Sequence, residues 1–251
     1  MFLTDPLFFA VAIPAAIFAG ISKAGFGSGA SFVSAAALAL VMDPGLALGI
    51  MLPLLMLIDV AAIPSYWRKW DAPVVRGLVI GAVPGVALAA LLYTAVDDDA
   101  IRLLIGVICL AFVGYQWARS SGMLRIGNFR FTRPWAWIAG ATAGFTSFVS
   151  HAGGLPVAVF TQGLGMDKTR YQATSIITFW AINILKFGPY AYLGIFTGQT
   201  LLADLILAPF ALLGTYLGVR AHRMVSERLF FGLTYVLLVV TGLRLVWIAL
   251  A

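Results

Sequence analysis

Two short stretches carry residues that lipid alone would not select. GISKAGFGSGASFV (residues 20–33) gathers glycines, serines and a lysine, and GFTSFVSHAGGLP (144–156) gathers glycines, hydroxyls and a histidine. Glycine weakens a helix by about 1 kcal/mol relative to alanine, and a lysine at the centre of a hydrocarbon layer costs about 2.5–3.5 kcal/mol. Such residues need a purpose beyond folding. Glycines let a ligand approach the backbone, and helix N-termini beside a break present free N–H groups to an anion. Ser22, Ser28, Ser31, Thr146, Ser147 and Ser150 can donate hydrogen bonds, and Lys23 and His151 can add positive charge.

Three further polar residues stand inside apolar runs. Asp59 lies in MLPLLMLIDVAAIP, and Asn183 and Lys186 lie three apart in FWAINILKFGPYAYLGIF, on about the same helix face. Ionisable groups inside a span usually face a cavity, pair together and mark a pathway. The candidate anion-binding residues are therefore Lys23, Gly25, Phe26, Gly27, Ser28 and Gly29 from the first break and Ser150, His151, Gly153 and Gly154 from the second. Asn183 and Lys186 join them, and Asp59 is the buried carboxylate available to carry a proton. With the breaks meeting near the membrane centre, an anion would sit between residues 25–29 and 151–154, held by backbone N–H groups and hydroxyls.

Each of these residues also has a plainer reading. Lys23 can snorkel to a nearby surface, His151 can be a wetted tip, and Lys186 can balance Asp59 as a structural ion pair. Glycine and serine also serve close helix packing, which is the reading for Gly77, Gly81 and Gly85 and for Gly214 and Gly218.

The elements that must position these groups read as membrane helices. Of 251 residues 62% are hydrophobic and 10% charged, where a soluble domain averages about 25% charged. Mean hydropathy is +1.00. The chain is expected to be an all-α integral membrane protein. Apolar runs fall at about 7–22, 27–41, 46–66, 74–96 and 100–118, then at 134–150, 153–165, 170–193, 200–220 and 228–250. A full span needs roughly 20 residues, so the first two runs of each half read as short, broken or re-entrant.

The two sets repeat. Gly20, Gly29, Val33, Leu40, Met42 and Asp43 recur 124 residues later as Gly144, Gly153, Val157, Leu164, Met166 and Asp167, and Asp59 recurs as Asn183. Arg102 and Gly106 recur 126 residues later as Arg228 and Gly232. This gives a first membrane repeat at 1–119, a linker at 120–133 and a second repeat at 134–251. Arginines and lysines cluster in alternate loops, at 68–76, 119–133, 168–170 and 220–228. The positive-inside rule puts these loops and the linker in the cytoplasm and both termini outside. With an odd number of segments each, the halves enter from opposite sides, an inverted repeat of the kind common in secondary transporters.

Other chemistries lack their residues. Cys109 is the only cysteine, so there is no intramolecular disulfide and no cysteine metal site; no metal or cofactor is expected. The +6 net charge is accounted for by topogenic loops rather than nucleic acid. No Walker A loop supports an ATP-driven pump, and GFGSG follows no strand, so it is no dinucleotide motif. A membrane-embedded enzyme using His151 with Ser147 or Ser150 is the alternative of another class. Adjacent Ser150 and His151 would point apart on a helix, and no GxSxG or HExxH motif supports it. The opening Met1-Phe-Leu-Thr-Asp-Pro has no basic residue ahead of the first apolar run, which argues against a cleaved signal peptide.

Taken together, SKAGFGSG, HAGGLP and FWAINILKFGPYAYLGIF resemble the TauE/SafE sulfite exporter family along essentially the whole chain. The resemblance implies a bacterial inner-membrane carrier for small sulfur-containing anions such as sulfite, sulfoacetate or related organosulfonates. It departs from the family at the second tip, where Leu155 precedes Pro156 in place of a Gly-Pro. An anion channel on the same scaffold, and a homodimer, stay open at this stage.

Overall fold

The computed structural model describes residues 2–26, 30–124, 130–221 and 227–251, and among these there is no strand. The helices are α1 (Pro6–Phe26), α2 (Phe32–Leu38), α3 (Pro44–Ala62), α4 (Ala72–Ala95) and α5 (Asp98–Ser120). After the 120–133 segment come α6 (Arg133–Ser150), α7 (Gly154–Gly163), α8 (Lys168–Tyr192), α9 (Gly198–Ala221) and α10 (Glu227–Leu250). Gly27, Ser28 and Gly29 of the first break lie outside the described residues.

Helix starts explain part of the repeat. Asp43 Oδ1 accepts from the backbone N–H of Gly45 at 2.8 Å and of Leu46 at 3.4 Å, with Pro44 at the first helical position of α3. Asp167 Oδ1 accepts from Thr169 and Arg170 N–H, both at 3.0 Å, at the start of α8. The recurring Met-Asp is thus a recurring N-cap, worth about 1 kcal/mol each time. Asp71 and Asp97 cap α4 and α5 in the same way.

The helices α1, α4, α5, α9 and Pro44–Tyr66, which extends α3, are each long and apolar enough to cross a membrane. Leu88, Leu91, Leu205 and Trp247 are each at least 60% exposed on helix faces. Such a surface is stable in lipid and would aggregate in water. The chain is a multi-pass membrane protein. α1 runs to Phe26, four residues past the expected end of its run, so Lys23 lies within the helix rather than in the break. Of the short second runs, α2 spans seven residues and α7 ten.

The halves interlock. α1 packs along α9, and α6 packs along α4. A Cβ at Gly20 would meet the Ala211 carbonyl oxygen at 2.5 Å, and one at Gly214 would run into the Ile17 carbonyl. Gly81 and Gly85 meet the Trp137 and Ala141 carbonyls likewise, and Gly140 meets that of Leu78. Both seams are therefore backbone-to-backbone contacts that only glycine permits. Exchanging the halves turns the α1–α9 seam into the α6–α4 seam and the α3–α9 contact into α8–α4, while α3–α8 and α5–α10 map onto themselves. A two-fold relation between the halves gives this pattern.

Candidate functional site

The site begins where α1 and α6 end inside the protein. A helix leaves its last carbonyls without partners, and here buried side chains supply them. Gln172 Nε2 donates to the Lys23 carbonyl at 2.7 Å, and the Tyr66 hydroxyl donates to the Ala24 carbonyl at 2.8 Å. At the end of α6, the Tyr190 hydroxyl donates to the Phe148 carbonyl at 2.5 Å. Tyr66 and Tyr190 are 124 apart, as are Ala24 and Phe148. The same hydrogen bond is made once in each half.

His151 ends α6 in the left-handed region, with φ +57°. Its N–H donates to the Ser147 carbonyl, an αL cap with histidine where glycine is usual, and the Ala152 N–H donates to the Thr146 carbonyl. The turn aims the imidazole inward. His151 Nε2 lies 3.3 Å from the Leu48 carbonyl oxygen and Nδ1 lies 2.9 Å from Lys186 Nζ. A carbonyl only accepts and an ammonium only donates, so the tautomer with its proton on Nε2 satisfies both. Lys186 Nζ also donates to the Ser147 carbonyl and to Ser147 Oγ, each at 3.0 Å.

The second cation meets the carboxylate. Lys23 Nζ lies 2.5 Å from Asp59 Oδ2 and donates to the Leu55 carbonyl at 3.2 Å. Asn183 Nδ2 donates to the same Asp59 oxygen at 3.1 Å. Asp59 Oδ1 is buried and has no hydrogen-bond partner among the described residues. Lys23, Asp59, His151, Asn183 and Lys186 are all at most 4% exposed. Between them lies a cavity of about 10 Å³, lined by Lys23, Ser31, Leu55, Ser147, His151, Phe179 and Asn183; that is room for about one water.

Several plainer readings give way to this geometry. Lys23 is 2% exposed and does not snorkel, and His151 is 4% exposed and is no wetted tip. The partner of Asp59 is Lys23 rather than Lys186, because the Lys186 ammonium is held by Ser147 and His151. Other candidates stand elsewhere. The Ser150 hydroxyl donates to the Thr146 carbonyl of its own helix at 3.0 Å. Gly25 and Phe26 line a separate, larger cavity. Gly153 is a packing glycine, since a Cβ there would meet the Ala143 carbonyl oxygen at 2.6 Å and Phe179 at 2.9 Å. Gly154 is the buried first residue of α7. Among the described residues, the small cavity is lined by side chains of the cluster and not by the glycines of the breaks.

Sequence reading passed over Gln172, Tyr66, Tyr190 and Asp204. The two tyrosines carried a signal, their 124-residue offset. Gln172 stands where the first half has Leu48, a polar residue in an otherwise apolar register. Asp204 interrupts the apolar run of α9 and is 8% exposed, with no partner for either carboxylate oxygen among the described residues.

A helical membrane protein with two lysines and one aspartate locked together at its centre has the anatomy of a transporter rather than of a structural membrane protein. The family model described as Sulfite exporter TauE/SafE matches residues 12–245, nearly the whole chain, and the chain belongs to that family. No match is found among curated proteins or among solved structures.

Proposed function

We propose that this protein is a secondary transporter that exports a small sulfur-containing anion, such as sulfite, sulfoacetate or another organosulfonate, across the bacterial inner membrane. One observation carries the reading: the buried cluster holds two lysines, Lys23 and Lys186, against the single carboxylate of Asp59. An excess cation in a low-dielectric interior is costly unless an anion joins it. An oxyanion beside Lys186, Ser147 and Asn183 would offset the excess positive charge and accept their N–H and O–H donors, with His151 Nδ1 orienting the Lys186 ammonium. Asp59 would then be the group that exchanges a proton as the Lys23 pair opens and closes. That gives the coupling to a proton gradient or to the membrane potential.

The small central cavity supports a carrier over an open channel, since even sulfite, the smallest of these anions, enters only if the helices part. In this reading the chain is two inverted repeats, 1–119 and 134–251, joined by a cytoplasmic linker, with both termini periplasmic.

The test is uptake of labelled sulfite and sulfoacetate into proteoliposomes. Wild type should show saturable flux driven by an imposed proton gradient or potential. Lys186→Ala should remove transport, with a loss of stability of about 1–3 kcal/mol from the partners left unbonded. Wild-type flux in folded Lys186→Ala overturns the assignment, and flux that never saturates points to a channel.

A further inference from the structure

The linker end of the molecule holds a second polar cavity, of about 300 Å³. Arg119 at the end of α5 and Lys168 at the start of α8 stand at its exposed rim, with Gln116, Gln162 and Tyr171 along its walls. Among the described residues its lining holds no aspartate or glutamate. Its floor is Gly25, Phe26 and Gln172, and the side chain of Gln172 is hydrogen-bonded to the Lys23 backbone. Gln172 therefore joins the floor of this cavity to the backbone of Lys23, whose side chain makes the central ion pair.

The other half offers a comparison. In the repeat register, Gln162 corresponds to Leu38, Gln172 to Leu48 and Arg119 to Leu245. All three leucines are at most 1% exposed in the packed core. The arginine and two glutamines of this cavity are thus replaced, at the matching positions of the other half, by buried leucines. Fixed positive charges in a cleft concentrate anions by about 10- to 1,000-fold, and amide N–H groups can replace part of an anion's hydration shell.

We infer that this vestibule is a binding site for sulfonate and small oxyanions, distinct from the central cluster, which captures the anion at the linker face and hands it past Gln172 to Lys23. The inference rests on the transport reading for its purpose but not for its chemistry. It also fits the direction of export, because the linker carries the basic residues that mark the cytoplasmic side.

The test is charge-selective labelling of Ala158→Cys, on the vestibule wall, in inside-out vesicles; the one native thiol, Cys109, is buried. Two thiol reagents of similar size are compared, 2-sulfonatoethyl and 2-trimethylammonioethyl methanethiosulfonate. The sulfonate should react about tenfold faster than the cationic reagent relative to their rates with a free thiol. Arg119→Gln with Lys168→Gln should erase that preference. Any change in thiol reactivity itself affects both reagents alike and cancels in the ratio. Leu155→Cys, also on the wall, serves if Ala158→Cys does not fold. Equal rates, a faster cationic reagent, or a preference that survives the double substitution overturns the inference. A preference retained in a protein that transports no sulfur anion leaves the vestibule standing and defeats only the transport reading.

Discussion

His151 shows how backbone and side chain can want different things at one position. Its left-handed conformation costs roughly 1–2 kcal/mol for a residue with a Cβ, and glycine would remove that cost. The imidazole is what glycine lacks, with its contacts to Lys186 and the Leu48 carbonyl. His151→Gly should therefore fold with a melting temperature within a few degrees of wild type, since the relieved turn offsets hydrogen bonds worth about 1 kcal/mol each. Its transport should fall as far as that of Lys186→Ala. Full flux in the glycine variant would mean that histidine is there for the turn alone. Most of the cluster was legible at this scale, because Asp59, Asn183 and Lys186 are polar residues in apolar runs, where lipid tolerates few, and Lys23 and His151 stand in the two glycine-rich breaks. Their pairing was not. Helix periodicity says which residues share a face of one helix, but Lys23 and Asp59 meet across two helices whose approach is set by packing.

At the scale of elements, the legible features were those with local causes. Apolar runs gave all ten helices among the described residues to within a few positions, and the recurring Met-Asp marked two helix starts. The extension of α1 through Lys23 to Phe26 was hidden, because it depends on Gly25 lying against the backbone of Gly218 in α9. Glycine in these helices has two roles that sequence alone does not separate. Gly81 and Gly85 seat α4 on α6, while Gly114 of α5 has nothing within 4 Å of its Cβ direction. Gly85→Val should wedge that seam apart and cost about 1–3 kcal/mol or more, whereas Gly114→Ala should raise stability by about 0.5–1 kcal/mol. Thermal unfolding in detergent, followed by loss of the monodisperse peak on size exclusion, measures both. Equal effects would show that the α4–α6 seam yields to side chains. Gly153, with the Ala143 carbonyl against it, belongs with Gly81, so its replacement tests packing rather than anion contact.

For the whole molecule, an offset of 124 residues was legible, and what it organises emerges only in three dimensions. The hydrogen bonds of Tyr66 and Tyr190 are repeats of each other, yet the vestibule and its closed counterpart are not alike. In the transport reading, two related halves with unequal crevices describe one conformation of a pair. The second conformation arises when each half adopts the arrangement of the other. Closing the vestibule would then open the crevice around Leu38, Leu48 and Leu245, now buried between α2, α3 and α10. Cysteine at Leu38 or Leu245 should resist a membrane-impermeant thiol reagent added outside resting cells. The same cysteine should react when anion and driving force are supplied together, while Ala158→Cys becomes protected from the linker side. The opposing changes must share one dependence on anion concentration, because a single population shift produces both. Labelling at Leu38→Cys that never responds to turnover, in a protein that still transports, would mean that the halves do not exchange shapes and that the anion leaves by another route.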